Sequence, residues 1–151
     1  NPGPTVLVLT RQNLSISQRI NREKNLLEKG AYEIINYDIY DATILASGSE
    51  VEIACSASDK LKKSNSLNIR VVSVPSFELF ERNEIEYKNK VIGDKPIFGI
   101  EAGVINGWEK YVKAKNFIGM STFGESGPYK ELYKHFNLTD QSLIEKILKN
   151  L

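Results

Sequence analysis

From Ala31 onward, short apolar runs rich in β-branched residues alternate with segments of helical periodicity, and this rhythm constrains the fold more than any other feature of the chain. The runs are "AYEIINY", "TILAS", "NIRVVSV", "PIFGIE" and "FIGMS". Their alternation with helical segments predicts an α/β sheet covered by helices on both faces. The segment between "TILAS" and "NIRVVSV" is long enough for a parallel crossover, which by rule is right-handed. With 151 residues and 41% hydrophobic content, the chain can bury one core of this kind.

Start signals place the helices. Ser49-Glu50-Val51-Glu52 has the pattern of a capping box, in which the Ser49 hydroxyl accepts from the Glu52 amide and the Glu52 side chain reaches back. Behind it, Ile53, Ala54, Ala57 and Leu61 fall on one helical face. Thr139 is expected to cap the last helix, whose Leu143, Ile144, Ile147, Leu148 and Leu151 form an apolar stripe read as core rather than as a partner groove. Ahead of these elements, Val6 to Thr10 read as a strand. Because it begins so abruptly and without an initiator methionine, the chain is expected to have been cut from something longer. Residues 11–30 read as a polar connector ending in Gly30, with a short helical patch around Glu23 to Glu28. There is no internal repeat and no low-complexity tract.

Twenty basic and nineteen acidic side chains are interspersed, leaving a net charge of +1 and no basic stripe. Neither nucleic acid nor a membrane surface is therefore expected as a partner. No apolar run approaches the roughly 18 residues of a bilayer span. The single cysteine, Cys55, can form no internal disulfide. It reads as a small packing residue and fits a reducing cytosol.

The stretch "MSTFGESGPYKELYKHF" is where a nucleophile or an anion site would be sought. A nucleophile elbow needs G-x-S-x-G, but Gly124-Glu125-Ser126-Gly127-Pro128 has proline in place of the second glycine. The single histidine, His135, falls off the face of Tyr129, Leu132, Tyr133 and Phe136, so it reads as a surface residue and serine hydrolase chemistry is not expected. Gly124, Ser126 and Gly127 ahead of a helix, with Pro128 at its first position, could cradle an anion. Glu125 argues against it, since two like charges about 4 Å apart repel by roughly 1 to 4 kcal/mol. The other loops at the carboxyl edge, Ser47-Gly48-Ser49-Glu50 and Glu101-Ala102-Gly103, carry the same objection and no G-x-G-x-x-G fingerprint. "TFGESGP" is best read as a strand-to-helix turn. The pairs Glu50/Glu52 and Glu84/Glu86 have the spacing of solvated helix starts, and Trp108, with Tyr111 and Val112 at helical spacing, reads as packing. Arg11 directly follows "TVLVLT", at the carboxyl end of the expected strand. Its chemistry leaves two readings open, a solvated arginine at a domain joint or a bidentate grip on a phosphate.

In order, "GPTVLVLTRQNL", "ATILASGSEVEIA", "RVVSVPS", "IEAGVINGWEKYV" and "GMSTFGESGPYKELYKHF" resemble the C-terminal portion of transketolases over essentially the whole chain. Many family members have alanine where Gly127 stands. The resemblance implies a three-layer α/β/α domain with a mixed five-stranded sheet whose first strand is antiparallel. It assigns residues 1–30 to the end of a pyrimidine-binding domain and a connector, and residues 31–151 to the C-terminal domain. The activity it implies is that of a cytoplasmic, homodimeric transferase of the pentose phosphate pathway, which moves a two-carbon ketol group between sugar phosphates. Thiamine diphosphate and Mg2+ (or Ca2+) would be its cofactors.

The family's G-D-G…N motif, its aminopyrimidine-activating glutamate and its catalytic histidines lie outside this sequence. The resemblance therefore implies no catalytic, cofactor-binding or metal-binding residue here, and a chain that is inactive alone. Its role would be structural, with the remaining domains of the same chain as partners. Arg11, in the "RQN" landmark, is implied as a ligand of the substrate's terminal phosphate. Two competing readings are a small-metabolite regulatory module and the C-terminal domain of a relative such as dihydroxyacetone synthase.

Overall fold

The computed structural model describes residues 3–14 and 25–151. Its strands are β1 (Tyr32–Ile35), β2 (Ala42–Ala46), β3 (Ile69–Ser73), β4 (Ile97–Ile100) and β5 (Phe117–Ile118), each on one of the five apolar runs, with β2 beginning one residue before its run. They form one sheet in the order β1-β3-β2-β4-β5, with β1 antiparallel to β3 and the other pairings parallel. The helices are α1 (Glu50–Asn65), α2 (Phe77–Glu81), α3 (Ile85–Ile92), α4 (Tyr129–His135) and α5 (Asp140–Asn150). This is the expected mixed five-stranded α/β architecture.

Alternation along the strands divides the core in two. Ile44 and Ala46 of β2, with Ile69 and Val71 of β3, face Ala54, Ala57 and Leu61 of α1 and Leu143 and Ile147 of α5. Leu45 and Val72, one residue out of phase, join Phe80, Val91, Trp108, Val112 and Phe117 on the opposite face. The central strands β2 and β3 are buried at every position, as strands covered on both sides must be. Trp108 packs edge-on against Phe77, 5.0 Å between centroids, which bears out its reading as core. It does so from hydrogen-bonded turns rather than from the helix its spacing suggested. Cys55 packs against the first cluster, again as expected.

A buried arginine sits at the amino end of the sheet on the second face. Arg70 pairs with Glu33, donates to the carbonyls of Lys90 (3.0 Å) and Val91 (2.9 Å) at the end of α3, and lies 4.5 Å from the centroid of the Tyr40 ring. The buried charge is met in this way, and all three bonds are made by Nη2, whereas Nε is buried with no partner among the described residues.

Several expectations are corrected. Val6 to Thr10 do not form a strand, and Val6, Leu7, Val8 and Leu9 are 78–91% exposed. A strand is defined by the ladder it shares, and no strand among the described residues pairs with this segment. The helical patch expected around Glu23 to Glu28 is a 3-10 helix at Leu26–Lys29, and Glu23 and Lys24 lie outside the described residues. Ser49 precedes α1 but makes no side-chain cap, since its backbone is already helical (φ −66°, ψ −25°) rather than extended as in a capping residue. Pro128 is the N-cap of α4, one position before its expected place. Thr139 does cap α5, accepting from the Ser142 amide at 3.1 Å. The α5 stripe is core at Leu143 and Ile147, but Leu148 and Leu151 are about half exposed. Among the described residues no helix is long and apolar enough to cross a membrane.

Candidate functional site

The direction of chain travel divides at β2. Its outgoing helix α1 leads to β3 on one side, whereas neighbouring β4 sends its connection to β5 on the other, so the carboxyl ends of β2 and β4 flank a topological switch point. Open α/β sheets bind ligands in the crevice at such points. Here those two strand ends lead into Glu50 and Glu101.

The turn after β2 passes through Gly48 at φ 52° and closes with the Glu50 amide donating to the Ser47 carbonyl at 3.1 Å. It delivers Glu50 inward, so that only 2% of the residue remains exposed. A buried carboxylate must find donors. The Ser49 hydroxyl donates to Glu50 Oε1 at 2.7 Å, and the Tyr133 hydroxyl, brought in from α4, donates to the same oxygen. The two hydroxyls are themselves 3.0 Å apart. Gln12 Nε2 then donates to the Tyr133 oxygen at 3.4 Å, linking the segment after "TVLVLT" to the carboxyl edge. Burial, and then its bond to Glu50, hold the Tyr133 hydroxyl above its ordinary pKa. Glu101 follows β4, and its amide donates to the Ile118 carbonyl at 3.1 Å. Burial, reinforced by the Glu50 charge, raises the Glu101 carboxyl to about 7.

Gln12, Asn13 and Leu14 border a cleft of about 570 Å³ whose opposite walls include Ser49, Tyr129 and Tyr133. Tyr129 and Tyr133 meet edge to face, 6.1 Å between centroids. Gln12 is half-buried against this wall, while its neighbour Arg11 is exposed.

The remaining candidates divide clearly. Residues 121–128 are exposed throughout, and His135 is exposed on α4 with Nε2 3.7 Å from Glu125, so the histidine meets the acid of the loop rather than a serine. This agrees with the turn reading of "TFGESGP". Glu84, Glu86 and Glu52 are solvated, as their spacing suggested, but Glu50 is not. Among the described residues no group of three or more His, Cys, Asp or Glu side chains is placed to hold a metal ion.

Comparison with known proteins follows the same lines. Residues 30–139 match the family described as the transketolase-like TK C-terminal domain. A transketolase of Cereibacter sphaeroides is 38% identical over 143 residues, covering 94% of this chain and 22% of its own length. The solved transketolase of Leishmania mexicana superposes with a TM-score of 0.81 at 37% identity, covering 89% of this chain and 19% of that one. A transketolase of Pichia stipitis in complex with sedoheptulose-7-phosphate superposes at 0.83 with 34% identity, over 92% of this chain and 20% of that one. The fold and its strand-end loops thus define a transketolase-like C-terminal domain. The chain belongs to the transketolase family, and it spans about a fifth of the length of these relatives.

Sequence reasoning singled out Arg11 as a candidate, took Tyr133 only as part of an apolar stripe, and read Glu50 as a solvated helix start and Glu101 as an acid that disfavours an anion in its loop. The available signal was positional: each glutamate follows a buried strand at the carboxyl edge, where a side chain is carried inward before the helix or turn begins.

Proposed function

We propose that the chain acts as the C-terminal part of a transketolase, with residues 1–30 closing a pyrimidine-binding domain and leading into the connector, and residues 31–151 forming the C-terminal domain. In the complete protein the activity is transfer of a two-carbon ketol group between sugar phosphates in the cytoplasm, as part of the pentose phosphate pathway. That protein is a homodimer requiring thiamine diphosphate and Mg2+ or Ca2+. Alone, the chain is inactive.

The described residues do not fit the cofactor. A diphosphate with its metal needs oxygen ligands on the cation and a cationic or amide-lined cradle for the phosphates. The switch-point crevice instead holds the buried Glu50 carboxylate and a Glu101 whose proton is retained to about pH 7. Like charge at that position opposes a phosphate. The chain's own contribution is therefore to binding and support.

The observation that carries this reading is the placement of Arg11. Arg11 is exposed, follows the unpaired apolar run and immediately precedes Gln12, which lines the cleft at the carboxyl edge. A planar cation there can take the terminal phosphate of a sugar through two parallel hydrogen bonds. Binding energy gathered at that remote phosphate positions the reacting end of the substrate. The sugar-phosphate complex of the Pichia stipitis relative supports the same class of ligand.

In the full-length enzyme, Arg11→Ala is expected to raise KM for phosphorylated ketoses at least tenfold while leaving unphosphorylated ones nearly unchanged. Equal losses on both would remove the phosphate grip.

A further inference from the structure

The hydrogen-bonded chain at the carboxyl edge runs from a buried acid to the residue next to Arg11. Glu50 is fixed by its burial and by two hydroxyl donors. Its bond to Tyr133 orients the phenol oxygen, since the proton is committed to the carboxylate and the oxygen's lone pairs are left to accept. What they accept is Gln12 Nε2. Gln12 is the half-buried residue of its neighbourhood, with Arg11 and Asn13 exposed on either side. The turn at this point is tightened by the Gln12 amide donating to Thr10 Oγ1 at 3.2 Å. One peptide unit, about 3.8 Å between Cα atoms, separates the held residue from the cation.

We propose that Tyr133, oriented by the buried Glu50 carboxylate, is a positioning residue for the Arg11 phosphate grip and acts through Gln12. The C-terminal domain would then contribute to substrate binding without touching substrate, by holding the connector in the register that aims the guanidinium. The contact spans 121 positions in sequence, so only the docked domain can supply it. This inference rests on the phosphate-binding reading of Arg11.

The test uses the full-length enzyme and measures KM and kcat with a phosphorylated and an unphosphorylated ketose. Tyr133→Phe removes one oxygen and keeps the ring, and Gln12→Ala removes the other partner at a half-buried position that folding tolerates. Each is expected to raise KM for the phosphorylated ketose about three- to tenfold, with kcat and the unphosphorylated substrate unchanged, because one hydrogen bond's net worth lies in that range. The double variant should lose no more than the larger single loss. Loss of the selectivity, equal effects on both substrates, or additive losses in the double variant would overturn the positioning role. Arg11→Ala, run alongside, separates the two failures. If it is phosphate-selective and Tyr133→Phe is not, only the positioning role falls; if it is not selective, both fall.

Discussion

Replacing Glu101 by glutamine isolates the electrostatic cost of placing an acid at the switch point. Burial, with a further push from Glu50, moves this carboxyl from 4.5 to about 7 in the folded chain. Between those pH values the folded protein holds a proton that the unfolded chain has released. The group's contribution to stability is therefore fully present below about pH 4.5 and is lost as pH rises through 7. At about 1.4 kcal/mol per unit the whole interval sets an upper bound of about 3.5 kcal/mol. Glu101 is partly exposed, and solvent screening reduces the expected effect to about 1 to 2 kcal/mol. Glutamine keeps the size and polarity and carries no charge at any pH. Glu101→Gln should therefore match the wild type near pH 4.5 and exceed its stability by about 1 to 2 kcal/mol at pH 8, raising Tm by roughly 2 to 8 °C. Urea unfolding of both proteins at the two pH values measures the difference directly. A gap of the same size at both, or a variant less stable at pH 8, would refute the claim that a desolvated charge at this site opposes folding.

Three substitutions probe the frame that carries the site. Gly30 lies at φ 71°, and a Cβ there would stand 2.2 Å from the Phe80 amide nitrogen and 2.4 Å from the Ser76 carbonyl oxygen. Gly30→Ala is expected to lower the unfolding free energy by about 2 to 4 kcal/mol in urea titration, since backbone cannot yield as a side chain can. Leu143→Ala should cost about 2 to 5 kcal/mol in the same assay, whereas Leu148→Ala, about half exposed on the same helix, should cost under about 1 kcal/mol.

What could be read in the sequence was what depends on local pattern. The five strands were legible because each is a short β-branched run bounded by turn residues, and the α1 face was legible because Ala54, Ala57 and Leu61 recur at helical spacing. Arg11 stood out as a candidate through its place after an apolar run. What escaped depends on partners distant in sequence. Ser49 and Glu52 satisfy the capping-box pattern, yet in the folded chain the Ser49 backbone is helical and its hydroxyl turns to Glu50, beside Tyr133, 84 positions further on. Glu50 resembles any solvated first-turn acid until the same tyrosine supplies a second donor. The run at Val6 to Thr10 has strand composition, but composition cannot furnish the neighbouring strand that a ladder requires.

The sheet's two borders bear on how copies of this chain can meet. At one, β5 ends after two residues; at the other, the pairing of β1 slips register between Glu33 and Ile35. A foreign strand adding to either would find too few consecutive free amides and carbonyls in line to build a continuous ladder. Growth by backbone zippering is thereby discouraged at both margins, and recognition is left to side chains on the helical layers and at the carboxyl rim.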